Sequence, residues 1–241
     1  MRMTFLIAPG LALAVAAAAL APAAMAQDYQ ALVAAPDRAD ADRQNDQKRH
    51  PAELLAFAGV KSGWKALDMG AGAGYSTELI ARAVGPTGHV WGQNDREPEK
   101  FLARLKTQAM ANVTQLVRPF DDPAPADVNN LDLVTFFNYY HDTTYMQVDR
   151  ARMNKAILAA LKPGGWLIVT DWSAKPEDGV AVGKTLHRIA EQSLRAEVEA
   201  AGFKFVADAQ FLRHPEDTRE TIIFKNPTPV DEFALKFQKP M

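Results

Sequence analysis

Ala66-Leu67-Asp68-Met69-Gly70-Ala71-Gly72-Ala73-Gly74-Tyr75-Ser76-Thr77 sets an acid and three alternating glycines where an apolar strand gives way to a helical pattern. Glycine lets a backbone turn tightly and lets a ligand approach without a side chain between them, at a cost in chain entropy that a plain turn does not require. The stretch therefore predicts a loop that grips a nucleoside-type cofactor, with Gly70, Gly72 and Gly74 lining it. Asp68, at the strand end, would order the loop and reach the polar end of the ligand. A nicotinamide-binding loop is the alternative, but that loop reads G-x-G-x-x-G, and here the third glycine comes one residue early and position 75 is Tyr.

Working outward, the pattern alternates between strand and helix. A short helix over Pro51 to Phe57 has Pro at its start, and Gly59 to Gly63 turns the chain into a strand, Lys65 to Met69. Leu79, Ile80 and Val84 give helical spacing to Tyr75–Val84, stopped by Gly85-Pro86-Thr87-Gly88. Strands are predicted at His89 to Gln93, Val113 to Val117, Leu131 to Phe137, Trp166 to Thr170, Phe203 to Ala209 and Phe233 to Phe237. Helices are predicted at Pro98 to Met110, Gln147 to Leu161 and Thr185 to Ala201. The near-continuous apolar run Leu131 to Phe137 is what a parallel strand covered on both faces requires. Repeated strand-helix units define an α/β, doubly wound sheet, with ligands outside the carboxyl ends of its strands.

The chain opens with Arg2, an apolar stretch through Leu20 and then Ala24-Met25-Ala26 ahead of Gln27, the form of a secretory signal cleaved after Ala26. Residues 1–26 are thus expected to be a leader, 27–48 a polar arm and 49–241 the domain proper. The expected location is periplasmic or secreted, or cytoplasmic where the leader is inefficient. Removing residues 1–26 takes away one Arg and no acid, which moves the net charge from -2 to -3. No long basic block favours nucleic acid or an anionic membrane as a partner. The chain has no Cys, so it carries neither a lipid-modified Cys nor a disulfide framework.

Two motifs in order carry a resemblance. Asp68-x-Gly70-x-Gly72-x-Gly74 resembles the first motif of class I S-adenosylmethionine-dependent methyltransferases, and Leu161-Lys162-Pro163-Gly164-Gly165 resembles their turn before the fifth strand. Gln93-Asn94, Asn138-Tyr139-Tyr140-His141-Asp142 and the ending Phe233 to Pro240 are similar to a group of bacterial predicted methyltransferases with signal peptides. The resemblance implies a Rossmann-like, mostly parallel seven-stranded sheet with an antiparallel last strand, and S-adenosyl-L-methionine as cofactor. It implies contacts from Asp68, Gly70, Gly72 and Gly74 to the methionine and ribose side, and from Asp121, with Asp122 as second choice, to the adenine. Asn138 joins this set. Where the family ends its second strand in an acid that takes both ribose hydroxyls, this chain has Asn94, which keeps one acceptor and one donor but loses the charge.

Methyl transfer from a sulfonium is an in-line displacement, so alignment of the acceptor supplies most of what is needed. A general base is required only when the attacking atom carries a tightly held proton. His141, oriented by Asp142, is the expected catalytic pair, because an imidazole titrates near neutral pH. The alternative is that Asp142 caps the following helix. Tyr139 and Tyr140 offer aromatic faces to a cation. His141, Asp142, Asp171 and His187 are possible N and O ligands, but no short spacing such as H-x-x-x-H gathers them, and no metal is expected. The expected partner is a small-molecule acceptor. A noncatalytic, exported ligand-binding protein on the same fold is the reading from a different class, since fold does not dictate chemistry.

Overall fold

A computed structural model describes Met1 and residues 27–241; the expected leader lies outside the described residues. Seven strands form one sheet: β1 Lys65–Met69, β2 His89–Asn94, β3 Val113–Val117, β4 Leu131–Phe137, β5 Leu161–Trp172, β6 Lys204–Ala209 and β7 Glu232–Gln238. Their order is β3-β2-β1-β4-β5-β7-β6, and β7 alone runs antiparallel to both of its neighbours. The order reverses between β1 and β4, which opens a crevice at the carboxyl ends of these two parallel strands.

Alternation along the strands sorts the core into two layers. Leu67, Met69, Val134 and Phe136 face one layer with Met153, Ile157 and Leu194; Ala66 and Leu133 face the other with Leu79, Ile80 and Val84. The first layer is closed by helices α6 Arg150–Ala160 and α8 Glu191–Ala200, and the second by α3 Pro51–Ala58 and α4 Tyr75–Val84. Each of these side chains except Ala66 contributes about 1.5–3 kcal/mol by burial. Among the described residues, no helix is long and apolar enough to cross a membrane.

Most strand bounds agree with the sequence reading, and three regions differ. β5 begins at Leu161 rather than Trp166, because Leu161 already pairs with Leu131 before the register shifts around the glycine pair. The helix expected over Thr185 to Ala201 is two pieces, α7 Gly183–Leu186 and α8, separated at His187, whose φ of 54° ends the first. Arg188 causes the break: it is fully buried, donates to Asp217 Oδ2 at 2.8 Å and to the carbonyls of Ser173 and Thr221, and could not lie on an exposed helix face. Likewise only Glu99–Arg104, helix α5, forms from the helix expected over Pro98 to Met110, with a single 3-10 turn at Gln108–Met110.

The polar arm is folded and docked. Helix α1, Tyr29–Val33, lays Tyr29, Leu32 and Val33 on the second core layer, and α2, Asp40–Arg49, follows. Arg38 is buried, clasps both carboxylate oxygens of Asp46 at 2.6 and 2.9 Å, and caps the Val33 carbonyl.

Candidate functional site

The glycine loop leaves β1 at the crevice and enters α4. Asp68 is 1% exposed, and its carboxylate accepts from three hydroxyls: Ser76 at 2.8 Å, Thr77 at 2.6 Å and Thr135 at 2.7 Å. Burial lifts this carboxyl above the ordinary range, and the three donors only partly oppose that. Asp68 thus shapes the loop from beneath. Its three bonds go to β4 and to the first turn of α4, which is the loop-ordering part of the sequence expectation.

Gly70 and Gly72 both have positive φ, 61° and 56°. A Cβ on Gly70 would meet the Tyr139 ring at 3.1 Å and the Phe136 ring at 3.2 Å, so only glycine lets Tyr139 cover the loop. A Cβ on Gly72 would meet nothing closer than the Gly70 carbonyl at 3.9 Å, so this side of the loop presents bare backbone to a ligand.

Two amides at the end of β2 hold the loop in shape. Gln93 Oε1 accepts from Gly70 N at 3.1 Å while its Nε2 donates to the Arg118 carbonyl at 2.6 Å. Asn94 Oδ1 accepts from Gly72 N at 2.8 Å, and Asn94 Nδ2 is buried with no partner in the protein. A buried donor without a partner costs about 1–3 kcal/mol, which a ligand oxygen beside the loop would recover. A ribose hydroxyl suits it, and the residues present fit S-adenosylmethionine: bare loop backbone at Gly72 and a free amide donor at Asn94.

Asn138, placed at φ 53°, accepts at Oδ1 from Arg49 Nη1 at 2.7 Å and from the Thr170 hydroxyl at 3.2 Å. It therefore ties α2 to the crevice. Tyr75, which takes the place after the third glycine, donates its hydroxyl to Asp46 Oδ1 at 2.7 Å, and Arg104 bridges the Ala73 carbonyl, Asp42 and Glu78. The arm is fastened to the far end of the glycine loop, rather than forming a solvated helix. A narrow cavity of about 30 Å³, room for a water, lies between Arg49, Tyr75, Ser76 and Asn138. Asp121 stands at a partly exposed turn 3.6 Å from Arg152, and Asp122 pairs with Arg118. The buried ring between them and the loop is Phe120, stacked on Tyr139 at 5.1 Å.

After β4, a 3-10 turn, Tyr140–Thr144, carries His141 and Asp142. His141 is 1% exposed. Its Nδ1 lies 2.7 Å from Asp171 Oδ1, and its backbone N donates to Asp171 Oδ2 at 2.7 Å. Its Nε2 lies 3.1 Å from Asp142 Oδ1 and 3.2 Å from His187 Nδ1. Burial alone would push the imidazole down, but the Asp171 charge and the bonds to Asp142 and Asp171 outweigh it and raise its pKa to about 9. Without a cation both ring nitrogens are engaged and the ring holds its proton at neutral pH, which is not the free base read from the sequence; the Nε2 lone pair is open only to a group that displaces that proton. Asp142 does not cap the following helix. Asp149 does, accepting from Arg152 N at 2.9 Å, while Asp142 takes the Tyr145 hydroxyl and the two histidines. These bonds hold its carboxyl below the ordinary range although burial works against them. Tyr140 is a core residue, its hydroxyl lodged between Glu197 and Asn154.

The sequence reading overlooked Gln93 as a loop clasp and the hydroxyls of Ser76, Thr77 and Thr135. A hydroxyl pair in the first turn of α4 was the available signal, since both point back along the helix toward the strand end.

A seven-stranded sheet in this order, with a glycine loop at the β1 crevice, defines a class I methyltransferase fold. Residues 67–169 match the family described as a methyltransferase domain. The Burkholderia multivorans ubiquinone/menaquinone biosynthesis C-methyltransferase UbiE is 27% identical over 177 residues, 71% of this chain and 70% of that protein. Among solved structures, a SAM-dependent methyltransferase from Aquifex aeolicus superposes with a TM-score of 0.63 at 17% identity, covering 88% of this chain and 98% of its own. The [4+2]-cyclase SpnF gives 0.64 at 16% identity, covering 82% and 83%. The sequence match, which spans less than half of the chain, and the fold agree: the chain carries a methyltransferase domain on the class I fold and is similar to S-adenosylmethionine-dependent methyltransferases.

Proposed function

We propose that the protein transfers the methyl group of S-adenosylmethionine to a small-molecule acceptor held between the glycine loop and the carboxyl ends of β4 and β5. The observation that carries this reading is Asn94: its Oδ1 holds Gly72 and its buried Nδ2 has no protein partner, beside loop backbone left bare. The cofactor supplies an electrophilic methyl on a sulfonium. The chain supplies shape, with Asp68, Gln93 and Asn94 fixing the loop and Tyr139 covering Gly70. Placement of the acceptor for in-line attack is the main source of acceleration. The curated relative is named a C-methyltransferase of quinone biosynthesis, which makes phenols and quinols the first acceptors to try.

The test is calorimetric titration with S-adenosylmethionine and S-adenosylhomocysteine, followed by radiolabelled methyl transfer to phenols, quinols, amines and thiols. Binding of both nucleosides with transfer to one acceptor class is the expected result; no binding of either at millimolar concentration overturns the reading.

We also infer export with cleavage after Ala26. In support, Gln27 already belongs to the fold, its Nε2 donating to the Ala83 carbonyl at 2.5 Å. Sequencing the mature N-terminus from a periplasmic fraction is expected to read Gln27, and a chain retained whole in the cytoplasm overturns it.

A further inference from the structure

His141 Nε2, Asp142 Oδ1 and His187 Nδ1 form a triangle with sides of 3.1, 3.2 and 3.4 Å. We propose that this triangle binds a divalent d-block cation, zinc fitting it best, with a fourth coordination position left open for an oxygen or sulfur of the acceptor.

The dimensions carry the proposal. Metal–ligand bonds of about 2.0–2.1 Å in a tetrahedron place neighbouring ligand atoms about 3.3–3.4 Å apart, so three such atoms make one face and the fourth corner is free. Hydrogen bonding alone accounts poorly for the same triangle. Whichever ring nitrogens carry protons, at most two of the three contacts can be hydrogen bonds: with one proton two acceptors are left facing each other, and with two protons both N–H groups point at Asp142 and at one another. A cation at the centre satisfies all three lone pairs at once.

The surroundings match those of a metal ligand. Asp171 is fully buried and takes His141 Nδ1 at 2.7 Å, which fixes the ring with Nε2 aimed at the triangle. A carboxylate on the far nitrogen of a ligating histidine is the usual second layer of a metal centre. His187 is brought in by backbone strain, since a residue with a Cβ rarely adopts φ 54°. Its helix α7 is pressed onto the turn that bears His141: a Cβ on Gly183 would come within 2.2 Å of Thr144 Oγ1 and 2.7 Å of the His141 carbonyl. One side stays accessible, with the side chains of Asp142 and His187 15% and 26% exposed. The absence of a short ligand spacing is no objection, because the third ligand arrives from a different loop, 46 residues along the chain.

The triangle lies at the carboxyl ends of β4 and β5, and Tyr139, two residues before it, covers Gly70. An ion there would hold a hydroxyl or thiol acceptor as its anion, its proton going to solvent on binding. The new bond to the methyl carbon then forms as the carbon–sulfur bond breaks with its electron pair to sulfur. This use of the ion rests on the methyltransferase reading above; cation binding itself does not.

The test is therefore made without cofactor or acceptor. Chelator-stripped mature protein is titrated with Zn²⁺ by calorimetry and with Co²⁺ by visible absorption, which reports ligand geometry directly. One ion per chain is expected, with a tetrahedral-type Co²⁺ spectrum. His187→Gln and Asp142→Asn should each lose affinity at least tenfold, and Asp171→Asn about 10–100-fold. His187→Gln alters a part-exposed side chain, and circular dichroism and a melt check its fold. Absence of ion binding overturns the proposal, as does binding that neither His187→Gln nor Asp142→Asn weakens. Failure of methyl transfer with these ion-binding results intact would count against the function proposed above and not against the site.

Discussion

Asp68 and Asp171 are both buried carboxylates at carboxyl ends of parallel strands, one on each side of β4, yet they are satisfied in opposite ways. Asp68 meets three neutral hydroxyls and fixes a backbone shape. Asp171 meets an imidazole and two backbone N–H groups, those of His141 and Trp172, and fixes a charge. The difference separates the two halves of the crevice: the β1 side is built to present bare backbone, and the β5 side to gather polar side chains.

The comparison breaks first at Asp171. Asp171→Ala leaves the buried His141 ring with Asp142 as its one remaining acid and strands the backbone N–H groups of His141 and Trp172, and is expected to lose about 3–5 kcal/mol in urea unfolding. Asp68→Ala leaves hydroxyls that can turn to other acceptors, and should lose only about 1–3 kcal/mol. Equal losses would mean that both acids serve the same purpose.

On the β1 side the loss should appear in ligand binding instead. Gly70→Ala, at φ 61° against Tyr139 and Phe136, is expected to weaken S-adenosylmethionine at least tenfold by calorimetry, about 1.4 kcal/mol or more. Asn94→Ala removes both the clasp on Gly72 and the free donor, and a smaller weakening, about 1 kcal/mol, is expected. An unchanged affinity in either variant would remove the loop from the binding site.

The smallest effect is on acid stability, where two aspartates should pull in opposite directions. Burial raises the Asp68 carboxyl, so as pH falls toward its ordinary range the folded state takes up a proton first and gains stability. For Asp46, burial is outweighed by Arg38 and Tyr75, which hold the carboxyl low, so its contribution is present above the ordinary range and lost as pH falls through the lowered value. Denaturant titrations from pH 7 to 3 should show Asp46→Asn flattening the acid loss and Asp68→Asn steepening it.

These contrasts also explain what was legible in the sequence. β1, β3, β4 and α4 run between the residues expected because glycine and proline punctuate apolar runs whose period is local information. Arg188 hides from such a reading: its buried pairing with Asp217, 29 residues on, breaks a helix that spacing alone continues. The approach of His141 to His187 is hidden for the same reason, since it depends on Gly183 seating α7 against another turn. The glycine loop and its ordering by Asp68 were legible, whereas the hydroxyl partners of that acid were not, because serine and threonine carry no periodic signal. Asn94 was read as a departure from the family's acid, and the structure adds that half of its amide already serves the loop.

The docked arm has a consequence for proteolysis. Its arginines Arg38, Arg43 and Arg49 are trypsin targets, yet each guanidinium is engaged, by Asp46, by the carbonyls of Ala35, Pro36 and Arg38, and by Asn138, whereas Lys48 is exposed. Cutting after the three arginines requires those contacts to break, so its rate, set against cutting after Lys48, measures how often the arm lifts. The chain thereby carries a clock for its own opening.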